Sequence, residues 1–292
     1  MPDPGEPSAG QACVRLEGAG ICASELPVWE GRKWFNYPQP PGEPGHEGWG
    51  IVEQVGPEVN YLSVGERVAF IGAGAHAETQ VVAADRCVSL NGLDGGFPGE
   101  PLACAMNAWS RAGVTPGARV AIVGAGFFGL LLVQMCRGVA GEIEVVSRRR
   151  SAREWAARLG ATRTWDSYDS GPAEESFDVV FEVTGHQSPL DLAGRLCRIR
   201  GRLVIVGYHQ DGARSVDMQL WNWRGLDVIN AHEREEAVYV QGLRDAVTAV
   251  STGRLDPAPL LTHSFPLERL GDAYQTASER PDGFIKAVWR LG

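Results

Sequence analysis

The sequence predicts an α/β protein in which a mainly-β lobe is combined with a doubly wound parallel sheet. Residues 1–105 contain short apolar runs interrupted by glycine and proline, whereas apolar strands alternate with helical patterns from about residue 113. Alternation within the early runs is typical of half-buried antiparallel strands, and repeated strand–helix–strand order is typical of a parallel sheet covered on both faces. The length of 292 residues, at roughly 150 per domain, favours two domains.

The individual elements follow from local patterns. In the first half, strands are predicted in CVRLEGAG, GWGIVEQVG, RVAFIG and ETQVVAADRCVSL. In the second half, strands are predicted at 119–123, 143–147, 179–183, 202–207 and 226–230, with helices at 127–138, in SAREWAARLG and in PLDLAGRLCRI. A helix over 236–252 ends before Gly253, and strand-like LLTHSFPL, helical LGDAYQTA and strand-like IKAVWRL follow.

Composition excludes several classes of function. Lys and Arg number 27 against 36 Asp and Glu, so the net charge is −9, whereas nucleic acid and anionic membranes require a basic face. No window approaches the roughly 18 apolar residues of a membrane span, and residues 1–10 lack a secretory pattern. The six cysteines are never arranged as CxxC, so we expect reduced thiols in a cytoplasmic protein that binds neither nucleic acid nor membrane.

A glycine-rich turn lies directly after the strand at 119–123. The segment Gly124-Ala-Gly126-Phe127-Phe128-Gly129 opens an apolar helix. In such a turn the first glycine permits the sharp bend, the second allows close approach of a pyrophosphate, and the third allows helix–sheet packing. The alternative is a glycine turn that only packs, but the strand–helix context favours dinucleotide binding, with Phe127 and Phe128 at the helix start.

The choice of cofactor depends on the end of the next strand. An acidic residue there binds the ribose 2′-hydroxyl of NAD, but this chain has Ser147, Arg148 and Arg149, and Glu144 lies three residues too early. A small hydroxyl residue followed by guanidinium groups suits the 2′-phosphate of NADP. The alternative is a solvated basic turn; the sequence favours NADP(H).

Four residues form a candidate metal set. Cys22 lies in GAGICASELPVWEG, His46 and Glu47 in PPGEPGHEGWGIVEQVG, and Glu100 in GEPLACAMNAW. A catalytic zinc site needs three ligands from Cys, His or carboxylate and an open fourth position. The spacing alone is not diagnostic, because a single cysteine is often a small buried hydrophobe and a single histidine is often structural.

At these residues the chain resembles the zinc-dependent medium-chain dehydrogenase/reductase superfamily. The matching segments are GICASE, GHEGWGIVEQVG, VGERVAF, EPLACAMNAW, VAIVGAGFFG, RLGAT and a late IKAV. The resemblance implies a GroES-like mainly-β catalytic domain, residues 1–106 and 233–292, and a Rossmann domain, residues 107–232, with the active site in a cleft between them. It also implies a homodimer or homotetramer.

The resemblance to the polyol branch of this superfamily, such as the sorbitol dehydrogenases, implies roles for individual residues. Cys22, His46 and Glu47 would ligate zinc, Glu100 would lie in or beside the ligand shell, and Ser24 would take the proton of the substrate hydroxyl. The usual lobe with a second, structural zinc has no counterpart, which implies one zinc per chain. Glu25 replaces the family Asp and Pro27 replaces a relay His, while the family's first two strands have no counterpart before Pro2, through either a shortened start or a missing edge hairpin.

Together these patterns predict an NADP(H)-dependent zinc alcohol dehydrogenase or carbonyl reductase. Hydride would pass between nicotinamide and a secondary alcohol or ketone, with a polyol- or cyclitol-like metabolite favoured. One alternative is a zinc-independent NADPH reductase of an activated C=C or C=N bond, and another is a non-catalytic NADPH-binding protein. The presence of the Cys and His-Glu ligands argues against the first, and the intact glycine turn argues against the second.

Overall fold

The computed structural model describes residues 5–166 and 171–291. Within these residues the chain forms two β-sheets, one mixed and one parallel. The chain divides into two compact units. Unit 1 comprises Met1–Ala103, Glu235–Gly253 and Pro257–Gly292, and unit 2 comprises Cys104–Arg234 and Arg254–Asp256. The predicted class, a mainly-β lobe with a doubly wound parallel α/β sheet, is confirmed.

The strands of both units are numbered in chain order. They are β1 (Gln11–Gly20), β2 (Glu47–Val55), β3 (Arg67–Phe70), β4 (Thr79–Ala83), β5 (Cys87–Ser89), β6 (Arg119–Val123), β7 (Glu142–Val146), β8 (Arg163–Trp165), β9 (Phe177–Glu182), β10 (Cys197–Ile205), β11 (Asp227–Asn230), β12 (His263–Pro266) and β13 (Ala287–Arg290). The α-helices are α1 (Leu26–Trp29), α2 (Gly99–Ala112), α3 (Phe127–Cys136), α4 (Arg150–Leu159), α5 (Gln187–Leu196), α6 (Met218–Arg224), α7 (Glu236–Ser251) and α8 (Leu270–Glu279).

The sheet of unit 1 is organised around β1. Its strand order is β12-β13-β1-β2-β3-β5, and β4 pairs with the first half of β1. The strands of residues 1–105 pair antiparallel, as the alternation predicts, whereas β12 and β13 pair parallel. Buried apolar side chains from β1, β2, β3, α8 and β13 form the core of this unit, and Leu16, Phe70 and Trp289 are fully buried in it.

The sheet of unit 2 is parallel in the order β11-β10-β9-β6-β7-β8. The chain order therefore reverses between β6 and β9, and ligands of such sheets bind at this switch point, beyond the carboxyl ends of the strands. The predicted strand at 119–123 coincides with β6. The predicted helix at 127–138 ends at Cys136, because Gly138 adopts a left-handed conformation with φ of +78°.

Two further observations concern the described residues. None of their helices has both the length and the apolar character that a membrane crossing requires. All six cysteines are present as thiols rather than disulfides. The prediction about a secretory pattern in residues 1–10 concerns in part residues 1–4, which lie outside the described residues.

Candidate active site

Three of the four predicted metal ligands lie together in unit 1. One potential ligand atom each from Cys22, His46 and Glu47 lies within 4.8 Å of the others. Glu47 is fully buried, and Cys22 and His46 are partly accessible. Such a set of thiolate, imidazole and carboxylate groups, with one accessible side, suits a divalent transition metal.

Strand register explains why these residues meet. In the antiparallel pair of β1 and β2, Gly20 lies opposite Glu47. Cys22 follows the end of β1 by two residues and His46 immediately precedes β2, so the pairing brings the two ligands together. Cys22 and His46 are 24 positions apart in the sequence, so the metal set depends on the pairing of β1 with β2.

A buried ion pair lies beside Glu47. Lys286 Nζ donates to Glu47 Oε1 at 2.6 Å, and both side chains are almost fully buried. Lys286 directly precedes β13, which pairs with the same end of β1. A Cβ atom on Gly20 would come within 1.8 Å of Glu47 Oε2 and 3.0 Å of the Lys286 side chain. The absence of a side chain at Gly20 therefore makes room for the pair.

Glu25 is a buried carboxylate that contacts His46. It lies in a 3-10 turn, Ala23–Glu25, and only 1% of its surface is exposed. Its Oε1 atom lies 3.1 Å from His46 Nδ1, and its Oε2 atom accepts hydrogen bonds from His76 Nε2 at 3.2 Å and Tyr274 Oη at 3.0 Å. Burial acts to raise the pKa of Glu25, but the hydrogen bonds from His46 and His76 outweigh it and lower the pKa to about 2.

His46 is oriented by acceptors on one side of its ring. Nδ1 lies 3.0 Å from the carbonyl oxygen of Pro44 and 3.1 Å from Glu25 Oε1, so Nδ1 carries a proton and Nε2 is available as a ligand. Burial acts to lower the pKa of His46, yet the negative charges of Cys22, Glu25 and Glu100 raise it above its usual value. The protein therefore stabilises positive charge at this position.

The residues present fit a divalent cation. Within residues 5–166 and 171–291, the Oε2 atom of Glu47 is buried and has no hydrogen-bond partner, which is costly for a carboxylate oxygen. Burial and the nearby negative charges of Glu100 and Glu25 raise the pKa of Glu47, against the opposing effect of Lys286. A cation beside Cys22, His46 and Glu47 would compensate this excess of negative charge.

Ser24 and Glu100, two further predicted site residues, lie in different surroundings. The Ser24 hydroxyl donates a hydrogen bond to Cys22 Sγ at 3.1 Å, so it is adjacent to the ligand set. Glu100 lies in the first turn of α2 and accepts a hydrogen bond from the Tyr239 hydroxyl of α7. Glu100 is not among the three grouped ligands, although its charge influences both His46 and Glu47.

The glycine turn of unit 2 has the geometry that dinucleotide binding requires. Gly124 has φ of +115°, and a Cβ atom on Gly129 would lie 2.0 Å from the carbonyl oxygen of Gly124, so both positions need glycine. A Cβ atom on Gly126 would meet nothing within 4 Å. Space is therefore open beside Gly126, where α3 begins with buried Phe127 and half-buried Phe128.

The basic segment after β7 lies beside this turn. Ser147 is buried, Arg148 is exposed, and Arg149 Nη2 donates to the carbonyl oxygen of Ala125 at 3.4 Å. Arg153 supports the segment, because its Nη1 donates to the carbonyl oxygens of Ser147 and Arg148. Glu144 is buried and accepts a hydrogen bond from the Trp165 indole, so it is not directed to a ribose.

Two protein-family models match this chain. The family model of the alcohol dehydrogenase GroES-like domain matches residues 8–97, and that of the zinc-binding dehydrogenase matches residues 128–244. The chain belongs to the zinc-type medium-chain dehydrogenase/reductase superfamily. The predicted resemblance to alcohol and polyol dehydrogenases of this superfamily is confirmed.

Similar proteins of this superfamily include sugar-acid and polyol dehydrogenases. A 2-dehydro-3-deoxy-L-galactonate 5-dehydrogenase of Pseudoalteromonas atlantica is 27% identical, with 97% of this chain and 92% of the relative covered. A sorbitol dehydrogenase of Gallus gallus is 28% identical, with 95% and 89% covered.

Solved structures show the same fold. A zinc-binding dehydrogenase from Sinorhizobium meliloti bound to NADP has a TM-score of 0.83 and 24% identity, with 98% of this chain and 94% of that chain covered. The alcohol dehydrogenase rspB from Escherichia coli, complexed with NADH, has a TM-score of 0.85 and 23% identity, with the same coverage.

The structure also reveals residues that the sequence analysis does not assign in this dehydrogenase. They are Glu25, His76, Tyr274, Lys286 and Trp289 around the metal set, Tyr239 beside Glu100, and Arg153 beside the basic segment. Glu25 carries a signal, because it occupies the position of the family Asp. No sequence pattern indicates a role for His76 or Trp289, since their contacts depend on the pairing of distant strands.

Proposed function

We propose that this protein is a zinc-dependent, NADP(H)-linked alcohol dehydrogenase or carbonyl reductase. The observation that carries the proposal is the gathering of Cys22, His46 and Glu47 within 4.8 Å in a site with excess negative charge. We propose one zinc per chain, held by these three residues, with Glu100 beside the ligand shell. When bound, zinc supplies Lewis-acid polarisation of the substrate oxygen, and nicotinamide supplies or accepts the hydride.

The residues around the ligand set have separate roles in this proposal. Ser24, whose hydroxyl is a hydrogen-bond donor to Cys22 Sγ at 3.1 Å, exchanges a proton with the substrate hydroxyl. Lys286 compensates the charge of Glu47. Pro27 lies in the first turn of α1, where a missing N–H costs little, and it cannot replace the relay histidine. The proton would therefore leave Ser24 by a route that does not use a histidine at this position, such as water.

The proposed cofactor is NADP(H). The glycines at 124, 126 and 129 would bind the pyrophosphate, with Phe127 and Phe128 at the start of the helix. Ser147, Arg148 and Arg149 would bind the 2′-phosphate, which is supported by the contact of Arg149 with the glycine turn at Ala125. Residues 107–232 are proposed as the dinucleotide-binding domain, and residues 1–106 and 233–292 as the catalytic domain.

The proposed substrate is a secondary alcohol, or the matching ketone, of a polyol- or cyclitol-like metabolite. The support is the set of Cys, His and Glu ligands together with the sorbitol and sugar-acid dehydrogenases among the relatives. The competing zinc-independent reduction of a C=C or C=N bond requires no such ligand set.

We further propose a cytoplasmic homodimer formed through β11. This strand lies at one end of the parallel sheet, and the preceding helix α6 has no buried residue. Val228 of β11 is exposed, as are Met218 and Trp223 of α6. Light scattering of the parent and of Val228→Lys tests the assignment: the parent should be a dimer and the variant a monomer. A variant that keeps the oligomeric state of the parent would place the interface elsewhere.

The decisive experiment combines elemental analysis with turnover. The purified protein should contain one zinc per chain and oxidise polyols with NADP⁺, and removal of zinc by a chelator should abolish oxidation until zinc is restored. A protein that binds no zinc after reconstitution, or that reduces an activated C=C bond without zinc, would overturn the proposal.

A further inference from the structure

His76 is a buried histidine that no step of the proposed reaction uses. It lies between β3 and β4, and 3% of its surface is exposed. Its ring makes two hydrogen bonds of opposite sense, donating from Nε2 to Glu25 Oε2 at 3.2 Å and accepting at Nδ1 from the Trp289 indole N–H at 2.9 Å. An imidazole with this pair of partners is not an ordinary packing residue.

The Trp289 contact determines the protonation state of the ring. An indole N–H can only donate, so Nδ1 of His76 must be the acceptor and carries no proton. The ring is therefore the neutral Nε2–H tautomer, which directs its only N–H group at Glu25. Trp289 lies in β13, opposite Ala19 of β1, and is fully buried, so the donor has a fixed position.

Glu25 receives further support from Tyr274. The Tyr274 hydroxyl donates to the same Oε2 atom at 3.0 Å, and the Tyr274 and His76 rings meet edge-on with centroids 5.7 Å apart. Two neutral donors thus hold one oxygen of the carboxylate, while the other oxygen lies 3.1 Å from Nδ1 of His46. The carboxylate orientation, and with it the direction of the His46 ring, depends on the donors at Oε2.

His76 also supports the loop that precedes His46. Its backbone N–H donates to the carbonyl oxygen of Gly42 at 2.9 Å, and a Cβ atom on Gly45 would lie 2.6 Å from the His76 ring. The ring thus packs directly on the residue before His46. Any shift of His76 is therefore transmitted to His46 by two routes, through Glu25 and through Gly45.

We propose that His76, held as one neutral tautomer by Trp289, is a positioning residue that orients Glu25 and, through it, the metal ligand His46. This inference rests on the proposed metal site in unit 1. It goes beyond that site because it assigns a function to His76, Trp289 and Tyr274, none of which would touch the metal or the substrate.

The test measures zinc affinity directly, by competition with a chromophoric chelator, together with the absorption spectrum of the Co²⁺-substituted protein. His76→Phe removes both hydrogen bonds and should lower zinc affinity by about 10–100-fold, the usual effect of losing a group that orients a metal-bound histidine. His76→Gln keeps a neutral donor and an acceptor, and should stay within about threefold of the parent. Thermal unfolding of each variant shows how much of the change is general destabilisation.

Trp289→Phe provides a second test of the positioning role if His76→Phe does not fold. It removes the donor to Nδ1 and leaves the tautomer free, and should lower zinc affinity by about three- to tenfold. Trp49→Phe is its matched control, because Trp49 is a similarly buried tryptophan of β2, which lies two strands from β13 in the same sheet and packs on Gly18 and Gly96. The control should lower the unfolding temperature and leave zinc affinity and the Co²⁺ spectrum unchanged.

The outcomes separate this inference from the proposed function. A parent protein that binds no zinc would overturn both. A parent that binds zinc, with His76→Phe or Trp289→Phe of equal affinity and an unchanged Co²⁺ spectrum, would overturn the positioning role alone. A His76→Gln variant that loses as much affinity as His76→Phe would also contradict it, because hydrogen bonding by a neutral group would then be insufficient.

Discussion

The candidate metal site of unit 1 and the glycine turn of unit 2 are built from different kinds of atom: side-chain atoms in the first and backbone atoms in the second. The metal site uses buried charged side chains, with Glu25 and Glu47 almost inaccessible and Lys286 beside them. The glycine turn uses backbone and open space, with side chains absent where a ligand or helix must approach. Removing a side chain from the candidate metal site leaves another buried charge uncompensated. Adding a side chain to the glycine turn fills space that a ligand or a helix would otherwise occupy.

This difference predicts how each site fails. Removal of one group from the charged site should affect metal binding and chemistry by large factors, with the fold of unit 2 retained. Changes in the turn should divide into those that affect the cofactor and those that affect packing. The following experiments test that contrast, from the largest expected effect to the smallest.

The largest effect is expected for Cys22→Ser, which replaces a thiolate ligand with a hydroxyl. Zinc affinity should fall by more than the roughly 10–100-fold typical of residues behind the ligands, and activity should be almost abolished. Zinc content after dialysis and NADP⁺-linked oxidation provide the measurement. Cys104→Ala is the matched control, since Cys104 is outside the ligand group, and it should retain zinc. Retention of zinc and activity by Cys22→Ser would contradict the ligand assignment.

Ser24→Ala should lower kcat by roughly 10²–10⁴, the usual range for a positioned proton-transfer group. Zinc content at saturating zinc and NADPH affinity should stay near those of the parent, because the hydroxyl contacts Cys22 Sγ without belonging to the ligand group. Ser24→Thr keeps the hydroxyl and should recover most of the rate. If Ser24→Ala turned over the substrate at the parent rate, the hydroxyl would have only a local structural role.

Replacement of both Arg148 and Arg149 by Ala should weaken NADPH binding by well over tenfold. Each charge-assisted hydrogen bond to the 2′-phosphate contributes roughly 1.5–3 kcal/mol, whereas NADH lacks that group and should bind almost unchanged. Isothermal titration with both cofactors measures the contrast. Arg150→Ala is the control, because Arg150 belongs to the same run but pairs with Glu154 on α4. Equal affinity of the parent for both cofactors would reduce the segment to a solvated basic turn.

The same contrast explains how much could be predicted from the sequence. Gly124, Gly126 and Gly129 lie within six consecutive residues that follow a strand, so local spacing alone predicted the turn. Cys22, His46 and Glu47 could be proposed from the family resemblance, but their meeting depends on the register of β1 and β2.

The supporting groups could not be predicted in this way. Trp289 lies in the last strand and Lys286 directly precedes it, and each is more than 200 positions from the residue it contacts. No local pattern of hydrophobicity reports such a contact, because it arises only when β13 pairs with β1. For Glu100, the resemblance predicted a position in or beside the ligand shell, but it did not predict the hydrogen bond that Glu100 accepts from Tyr239 of α7.

The smallest effects, and the sharpest test of the turn, come from adding one methyl group at two of its glycines. A Cβ atom on Gly129 would lie 2.0 Å from the Gly124 carbonyl oxygen, so Gly129→Ala must displace α3 from β6. Overpacking of this kind costs about 1–3 kcal/mol in free energy of unfolding, measurable as a lower Tm.

Gly126→Ala is expected to behave in the opposite way. Gly126 has φ of −79°, which any residue adopts, and its Cβ atom would enter open space, so stability should fall by less than about 1 kcal/mol. The methyl group would occupy the space proposed for the pyrophosphate, and NADPH affinity should fall while the Tm of the cofactor-free protein stays close to that of the parent. If Gly126→Ala bound NADPH as the parent does, the open space beside the turn would not be the pyrophosphate site, and the dinucleotide assignment of this turn would be wrong.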